Sequence, residues 1–255
     1  SLAAQQNAYR LLGNIQLHYP NDDAASLPTL RNLSVRLHGD SEVFEAQHWK
    51  IDQIGPGGHL SLPDRSVHLP HQYLLELTDE QRLTLTFEVI QHDDDGNDAA
   101  RLLAQTETLV VLPANFWGGE QRQPELLAAF VKPNGVYVES LVKQVTDLFE
   151  ANGHGRHIDG YAANSRERPY LMVSALWNVL RAQRIAYVSP PPSFAHQGQL
   201  IRLARDISTQ RMGACLDLSV LFASCLEHMG LNPVIALTQG HAFVGVWLID
   251  TRFPL

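Results

Sequence analysis

The hydrophobic period of this 255-residue chain changes once, near residue 115, which calls for a β part followed by a helix-rich part. Before the change, apolar residues run or alternate over Tyr9–Pro20, Thr29–His38, Gln47–Ile54, Val67–Leu77, Arg82–Gln91 and Arg101–Leu112. The clearest alternation sets Leu83, Leu85, Phe87 and Val89 against Thr84, Thr86 and Glu88, giving a strand one dry and one wet face. Turn clusters Asn21-Asp22-Asp23, Gly55-Pro56-Gly57-Gly58 and Asp93-Asp94-Asp95-Gly96-Asn97 separate these runs. Regularly spaced strands without intervening helices predict an immunoglobulin-like β-sandwich over residues 1–115. The acidic tip at 93–97 reads as a solvated turn, because a calcium loop needs Gly at position six and Glu at position twelve, where Ala104 stands.

A hinge at about 113–122 contains Pro113, Gly118 and Gly119, and beyond it the period becomes helical. Pro124–Phe130 reads as a short helix opened by proline, and Val136–Ala151 as a longer one. The buried stripe of the longer helix is Val138, Leu141, Val142, Val145, Leu148 and Phe149. Pro169 to about Arg184 forms the next helix, buried through Leu171, Ala175, Leu176, Val179 and Leu180, and a short strand, Ile185–Val188, follows. Trp177 and Trp247 fall on apolar faces and are expected in the core. Cys215 to Met229 is a helix ended by Gly230, and Pro233–Leu237 and His241–Ile249 are strands.

Charge and composition narrow the function classes. The formal charge is −8, and no basic cluster is denser than Arg202, Arg205 and Arg211, so direct nucleic-acid binding by this chain is not expected. No apolar run reaches the roughly 18–20 residues of a membrane span. The two cysteines, Cys215 and Cys225, lie ten residues apart in one helix, about 15 Å, too far for a disulfide. Two free thiols suit a reducing, cytoplasmic setting. The opening Ser1-Leu2-Ala3 lacks an initiator Met and reads as the start of a fragment.

The chemistry concentrates between Arg211 and Phe243. A helix of about 15 residues carries the chain roughly 22 Å from Cys215, and residues 232–239 as a strand return it roughly 23 Å. The turn at Gln239-Gly240 thereby delivers His241 to the level of Cys215. A thiol at a helix N-terminus favours its thiolate, and an imidazole beside it completes an activated nucleophile. The backbone N–H of Cys215 is then a natural oxyanion donor, and the Gln199 side chain is a second candidate.

Gly213-x-Cys215-x-Asp217 opening a helix, followed by Gly240-His241-Ala242-Phe243 at a strand start, resembles the transglutaminase-like branch of the papain-type cysteine enzymes. That resemblance implies acyl chemistry by a Cys-His-Asp/Glu triad, in a family where some members have lost the triad and only bind. A wider resemblance is to the N-terminal region of large bacterial multidomain proteins that carry a superfamily-I helicase further along. It rests on Asn115-Phe116-Trp117-Gly118-Gly119, Phe130-Val131-Lys132-Pro133-Asn134, Pro191-Pro192-Ser193-Phe194 and Gly240 through Leu248. It implies that the helicase portion of the same polypeptide is a partner. This chain itself has no GxxxxGK[ST] loop.

One position departs from the family pattern. The triad acid belongs on the strand after the histidine, yet Asp250 stands at the far end of the histidine's own predicted strand, about 30 Å away. Either the acid lies beyond Leu255, or the site is a Cys-His dyad. Asp217 is read as a structural acid at the helix N-terminus, Cys225 as core, and His154-x-x-His157 as a solvated loop without a metal.

The sequence thus predicts an α+β chain: a sandwich over 1–115 and a C-terminally truncated transglutaminase-like domain over 116–255. Cys215 and His241 are its catalytic pair, Cys215 and Gln199 its oxyanion donors, a protein or peptide amide its substrate. No metal or organic cofactor is expected. The rival reading is a non-catalytic interaction module with a degenerate papain-like fold.

Overall fold

The structure is a computed structural model that describes residues 15–20, 27–39, 43–63, 69–119, 124–189 and 198–251. The chain is α+β, with helices and several separate sheets. It divides into two compact units, Ser1–Ala114 and Asn115–Leu255.

The first unit is built on a four-stranded antiparallel sheet in the order β3-β2-β5-β6. Its strands are β2 (Leu30–Gly39), β3 (Gln47–Ile54), β5 (Gln81–His92) and β6 (Asp98–Val111). Strands β1 (Gln16–His18) and β4 (His59–Ser61) form a separate antiparallel pair. The register aligns Trp49, Val35, Val89 and Leu103 in one row across the sheet. The first three are buried and Leu103, on the edge strand, is 46% exposed. Leu17 and Leu60 of the β1–β4 pair pack into the same core as Leu33, Leu37 and Leu85. The alternation at 83–89 is therefore a true inward face, with Leu83, Leu85 and Val89 buried. At the 93–97 tip, the Asp93 carboxylate accepts hydrogen bonds from the Asp95 and Asn97 backbone N–H groups, a self-closed turn.

Two strand expectations need correction or fall partly outside the described residues. Of the expected strand Val67–Leu77, residues 67–68 lie outside the described set, and the rest is not a strand: α1 (His71–Glu76) occupies it, with Pro70 at its N-cap. Pro70 suits a helix start, and Tyr73, Leu74 and Leu77 pack on Leu69, Leu83 and Val111, a helical rather than alternating spacing. Of Tyr9–Pro20, only Gln16–His18 is described as strand, and residues 9–14 lie outside the described set.

In the second unit, a 3-10 helix (Pro124–Phe130) precedes α2 (Val136–Ala151) and α3 (Glu167–Ala182). These two pack through Val138, Leu141, Val145, Met172, Leu176 and Val179. Leu148, Leu171 and Leu180 stand at the rim of that cluster. Helix α4 (Ala204–Gln210), not anticipated, ends at Arg211, which takes the left-handed conformation with φ 55°. Among the described residues this unit also has three two-stranded sheets: β7 (Phe116–Trp117) with β9 (Gln199–Leu200), β8 (Ala186–Tyr187) with β10 (Met212–Gly213), and β11 (Pro233–Thr238) with β12 (His241–Val246).

Helix α5 (Cys215–His228) is the centre of this unit. From Cys215 to Leu226 every residue except Leu218 is buried. One side joins Leu221, Phe222, Cys225 and Leu226 to α2 and α3. Another joins Cys215, Leu216 and Val220 to Trp117, Ile201 and Ala242. A helix apolar all round belongs in the interior, and that interior position fixes where its first residue points.

Candidate active site

Cys215 is the first residue of α5, and its position follows from the local sequence. Ala214 at the N-cap is extended, and its N–H donates to Asp217 Oδ2 at 2.8 Å, closing the first turn. Asp217 is fully buried; its Oδ1 accepts from the Arg202 backbone N–H at 2.9 Å, and its Oδ2 from the Arg202 guanidinium at 3.2 Å. The carboxylate thus ties the start of α5 to the segment after β9. A Cβ on Gly213 would come within 3.0 Å of the Leu218 side chain, so glycine lets β10 approach that turn.

His241 is the first residue of β12 and is exposed. The β11–β12 register pairs it with Thr238 across a two-residue turn, Gln239-Gly240, with Gly240 at φ 74°. Helix α5 runs out for about 21 Å and β11 returns about 20 Å, so the out-and-back path closes as its lengths require. Ala242, next to His241, is 2% exposed and packed in the same cluster as Cys215.

Cys215 and His241 line one cleft of ≈ 610 Å³, with Trp177, Tyr187, Phe222 and Phe243 among its walls. No Asp, Glu, Lys or Arg is among the described residues that line it. Cys215 is therefore only 3% exposed but not sealed in apolar core. Cys225 is wholly buried, and burial pushes its thiol up to about 12. Both cysteines are free.

Tyr187 is a cleft residue that the sequence pattern does not reveal. The parallel β8–β10 pairing places it beside Gly213, two residues before Cys215, through Ala186 N–H to Arg211 O at 2.8 Å and Val188 N–H to Gly213 O at 3.0 Å. Partial desolvation, and after it the neighbouring Cys215, push the Tyr187 phenol up. The expected strand at 185–188 is the one signal the sequence offers, and a parallel pairing cannot be read from so short a run.

Gln199 lies elsewhere than the cleft wall. It sits in β9 opposite Trp117, is 5% exposed, and its Oε1 is buried without a hydrogen-bond partner among the described residues. Gly198 before it has φ 80°, and a Cβ there would meet the Trp117 carbonyl at 1.9 Å, so the strand pair requires glycine.

Trp177 is not core: it is 58% exposed, its ring centroid 6.5 Å from that of Phe222. Leu176 takes the buried stripe, and the next residue turns about 100° away from it. Trp247 is half-buried, its carbonyl accepting from the Tyr161 hydroxyl at 2.7 Å. Strand β12 stops at Val246, short of the expected Ile249. Asp250 accepts from Asn232 Nδ2 at 3.2 Å, at the end of the hairpin opposite His241, roughly 20 Å along six strand residues. Among the described residues, no carboxylate pairs with the His241 ring. His154 and His157 are exposed, and no group of three His, Cys, Asp or Glu among the described residues is arranged to hold a metal.

No family model, no curated protein and no solved structure matches this chain.

Proposed function

We propose that residues 116–255 form a transglutaminase-like, papain-type cysteine enzyme that transfers or hydrolyses an amide acyl group through a thioester. The observation that carries this reading is the shared cleft: the first residue of α5, Cys215, and the first residue of β12, His241, line it together. Cys215 Sγ attacks the carbonyl carbon as His241 takes the thiol proton. Backbone N–H groups at the α5 N-terminus stabilise the oxyanion. The intermediate collapses to a thioester, and the amine leaves with the proton held by His241. Water or a second amine then attacks the thioester, its proton passing to His241 and on to the departing Cys215 sulfur.

The first unit, in this reading, is an immunoglobulin-like sandwich, and the whole chain is a cytoplasmic fragment of a bacterial helicase-related protein. Among the described residues, no helix is long and apolar enough to cross a membrane. A non-catalytic interaction module is the second reading. It is favoured by Asp250, the first acid after His241, being bonded to Asn232.

An activated aryl ester separates the two. The enzyme reading expects an acyl adduct on Cys215, seen by peptide mass spectrometry, lost in Cys215→Ala and strongly reduced in His241→Ala. Absence of the adduct, or its persistence unchanged in His241→Ala, contradicts the enzyme and leaves the module.

A further inference from the structure

The cleft at Cys215 and His241 adjoins a second pocket of different chemistry. That pocket, of ≈ 320 Å³, has Trp177, Leu218 and Phe222 in common with the cleft and adds Arg181 and Arg184. Helix spacing sets this order. Cys215, Leu218 and Phe222 stand at i, i+3 and i+7 of α5 and share one face. Leu218 is the one side chain from Cys215 to Leu226 that is not buried, so that face is where the helix meets a ligand. Trp177 and Arg181 stand four apart on α3, one turn along its surface. On the cleft side of this boundary, Trp177, Tyr187 and Phe243 leave large apolar surfaces open to water.

Charge changes along the same line. The second pocket has two guanidinium groups and, among the described residues that line it, no carboxylate. Arg181 and Arg184 are exposed, and neither has an ion-pair partner among the described residues. The Arg211 guanidinium donates to the Gln183 carbonyl at 3.4 Å and to Gln183 Oε1 at 3.2 Å, so a third positive charge stands at the same helix end. This basic corner belongs to a chain with 27 Asp and Glu against 19 Lys and Arg, in which acids are plentiful and none is set here. We propose that the substrate is an acidic peptide segment, with an apolar or aromatic side chain in the cleft and a Glu or Asp held by Arg181 and Arg184. This rests on the cysteine-enzyme reading above and supplies its substrate class. The spacing follows from α5: Leu221, which lines only the second pocket, lies six residues beyond Cys215, about 9 Å along the axis. Three extended peptide residues cover that length, so the acid stands about three residues from the scissile carbonyl. The planar guanidinium fork suits a carboxylate at such a site.

Titration calorimetry on the full 255-residue chain carrying Cys215→Ala, which binds without turnover, tests this. The probes are peptides capped at both ends, with one Phe and, three residues before or after it, a Glu, Gln or Lys on a glycine background. In at least one of the two orders, the Glu peptide is expected to bind about 5- to 10-fold more tightly than the Gln peptide at low salt, the Lys peptide binding weakest. The preference shrinks in about 0.5 M salt, as exposed ion pairs are screened. Adding R181Q/R184Q abolishes the preference while the Gln peptide binds as before, which shows an intact groove. Adding R181E/R184E reverses it in favour of Lys. Equal affinity for the three peptides in both orders, no binding of any, or a Glu preference that survives R181Q/R184Q overturns the proposal. The aryl-ester test reads the chemistry separately. An acyl adduct on Cys215 without a Glu preference keeps the enzyme and removes this inference, whereas an arginine-dependent Glu preference without an adduct keeps the acidic-peptide groove and removes the enzyme.

Discussion

Tyr187 and Cys215 line the same cleft, although all of helix α4 lies between them in the chain. The link exists because β8 pairs with β10 just before the cysteine. The phenol is pushed up by burial and by Cys215, so it stays a neutral donor beyond the ordinary range near 10. Tyr187→Phe removes that hydroxyl from the cleft and is expected to slow alkylation of Cys215 about 3- to 10-fold at neutral pH, the effect of losing one polar group able to stabilise a thiolate at an open site. Ultraviolet titration provides the reciprocal check. The Tyr187 component, isolated as the difference from Y187F, is expected to move down in Cys215→Ala.

Cys225 gives the chain an alkaline limit. Its ordinary value is 9.0, and burial pushes it up to about 12. The unfolded chain releases this proton near pH 9 while the folded chain keeps it. Stability is therefore intact below pH 9 and is lost as pH rises through 12, by about 4 kcal/mol at full ionisation. Cys225→Ala leaves a small cavity costing about 1 kcal/mol at pH 7, yet is expected to raise the pH midpoint of alkaline unfolding. Chemical denaturation at pH 7 and pH 11 measures both effects.

Asp217 is expected to matter for folding more than for chemistry. Replacing it with alanine removes the acceptor for two backbone N–H groups and for Arg202, a loss of about 2–4 kcal/mol in urea titrations. Asp217→Asn keeps one carbonyl acceptor and is expected to lose less. Its Cys215 alkylation rate should stay within a few-fold of the unmodified protein. A hundredfold drop in that rate would give Asp217 a part in the chemistry.

Gly198 is a backbone requirement. Its positive φ, and the 1.9 Å at which any added Cβ would meet the Trp117 carbonyl, leave alanine no room. Gly198→Ala is expected to cost at least about 2 kcal/mol and to unpair β7 from β9, read as lost protection of the Ile201 amide, which donates to Asn115 O at 2.8 Å. Gln199→Ala removes a buried acceptor that has no partner among the described residues, so little change in melting temperature is expected.

The parts of the fold that were legible are those where one periodicity dominates. Helix α2 falls at Val136–Ala151 because its apolar stripe is uninterrupted, and β3 falls at Gln47–Ile54 because turns bracket it. The return of His241 toward Cys215 was legible because it depends only on rise per residue and on Gly240 at the turn. What escaped was set by tertiary contact. The helix at 71–76 was hidden in an apolar run too short to show a period, and Trp177 shares a helix with the core residues yet faces the cleft. Tyr187 enters the site through a two-residue parallel ladder, which leaves no pattern in sequence.

Alkylation of the two thiols by iodoacetamide near pH 6.5 tests the central claim most directly, because it reads the Cys215–His241 pair without needing a substrate. The expected result is rapid, selective modification of Cys215, with Cys225 untouched in the folded protein and the rate falling at least tenfold in His241→Ala. Slow modification of Cys215 at the pace of an ordinary exposed thiol, unchanged by His241→Ala, would contradict it.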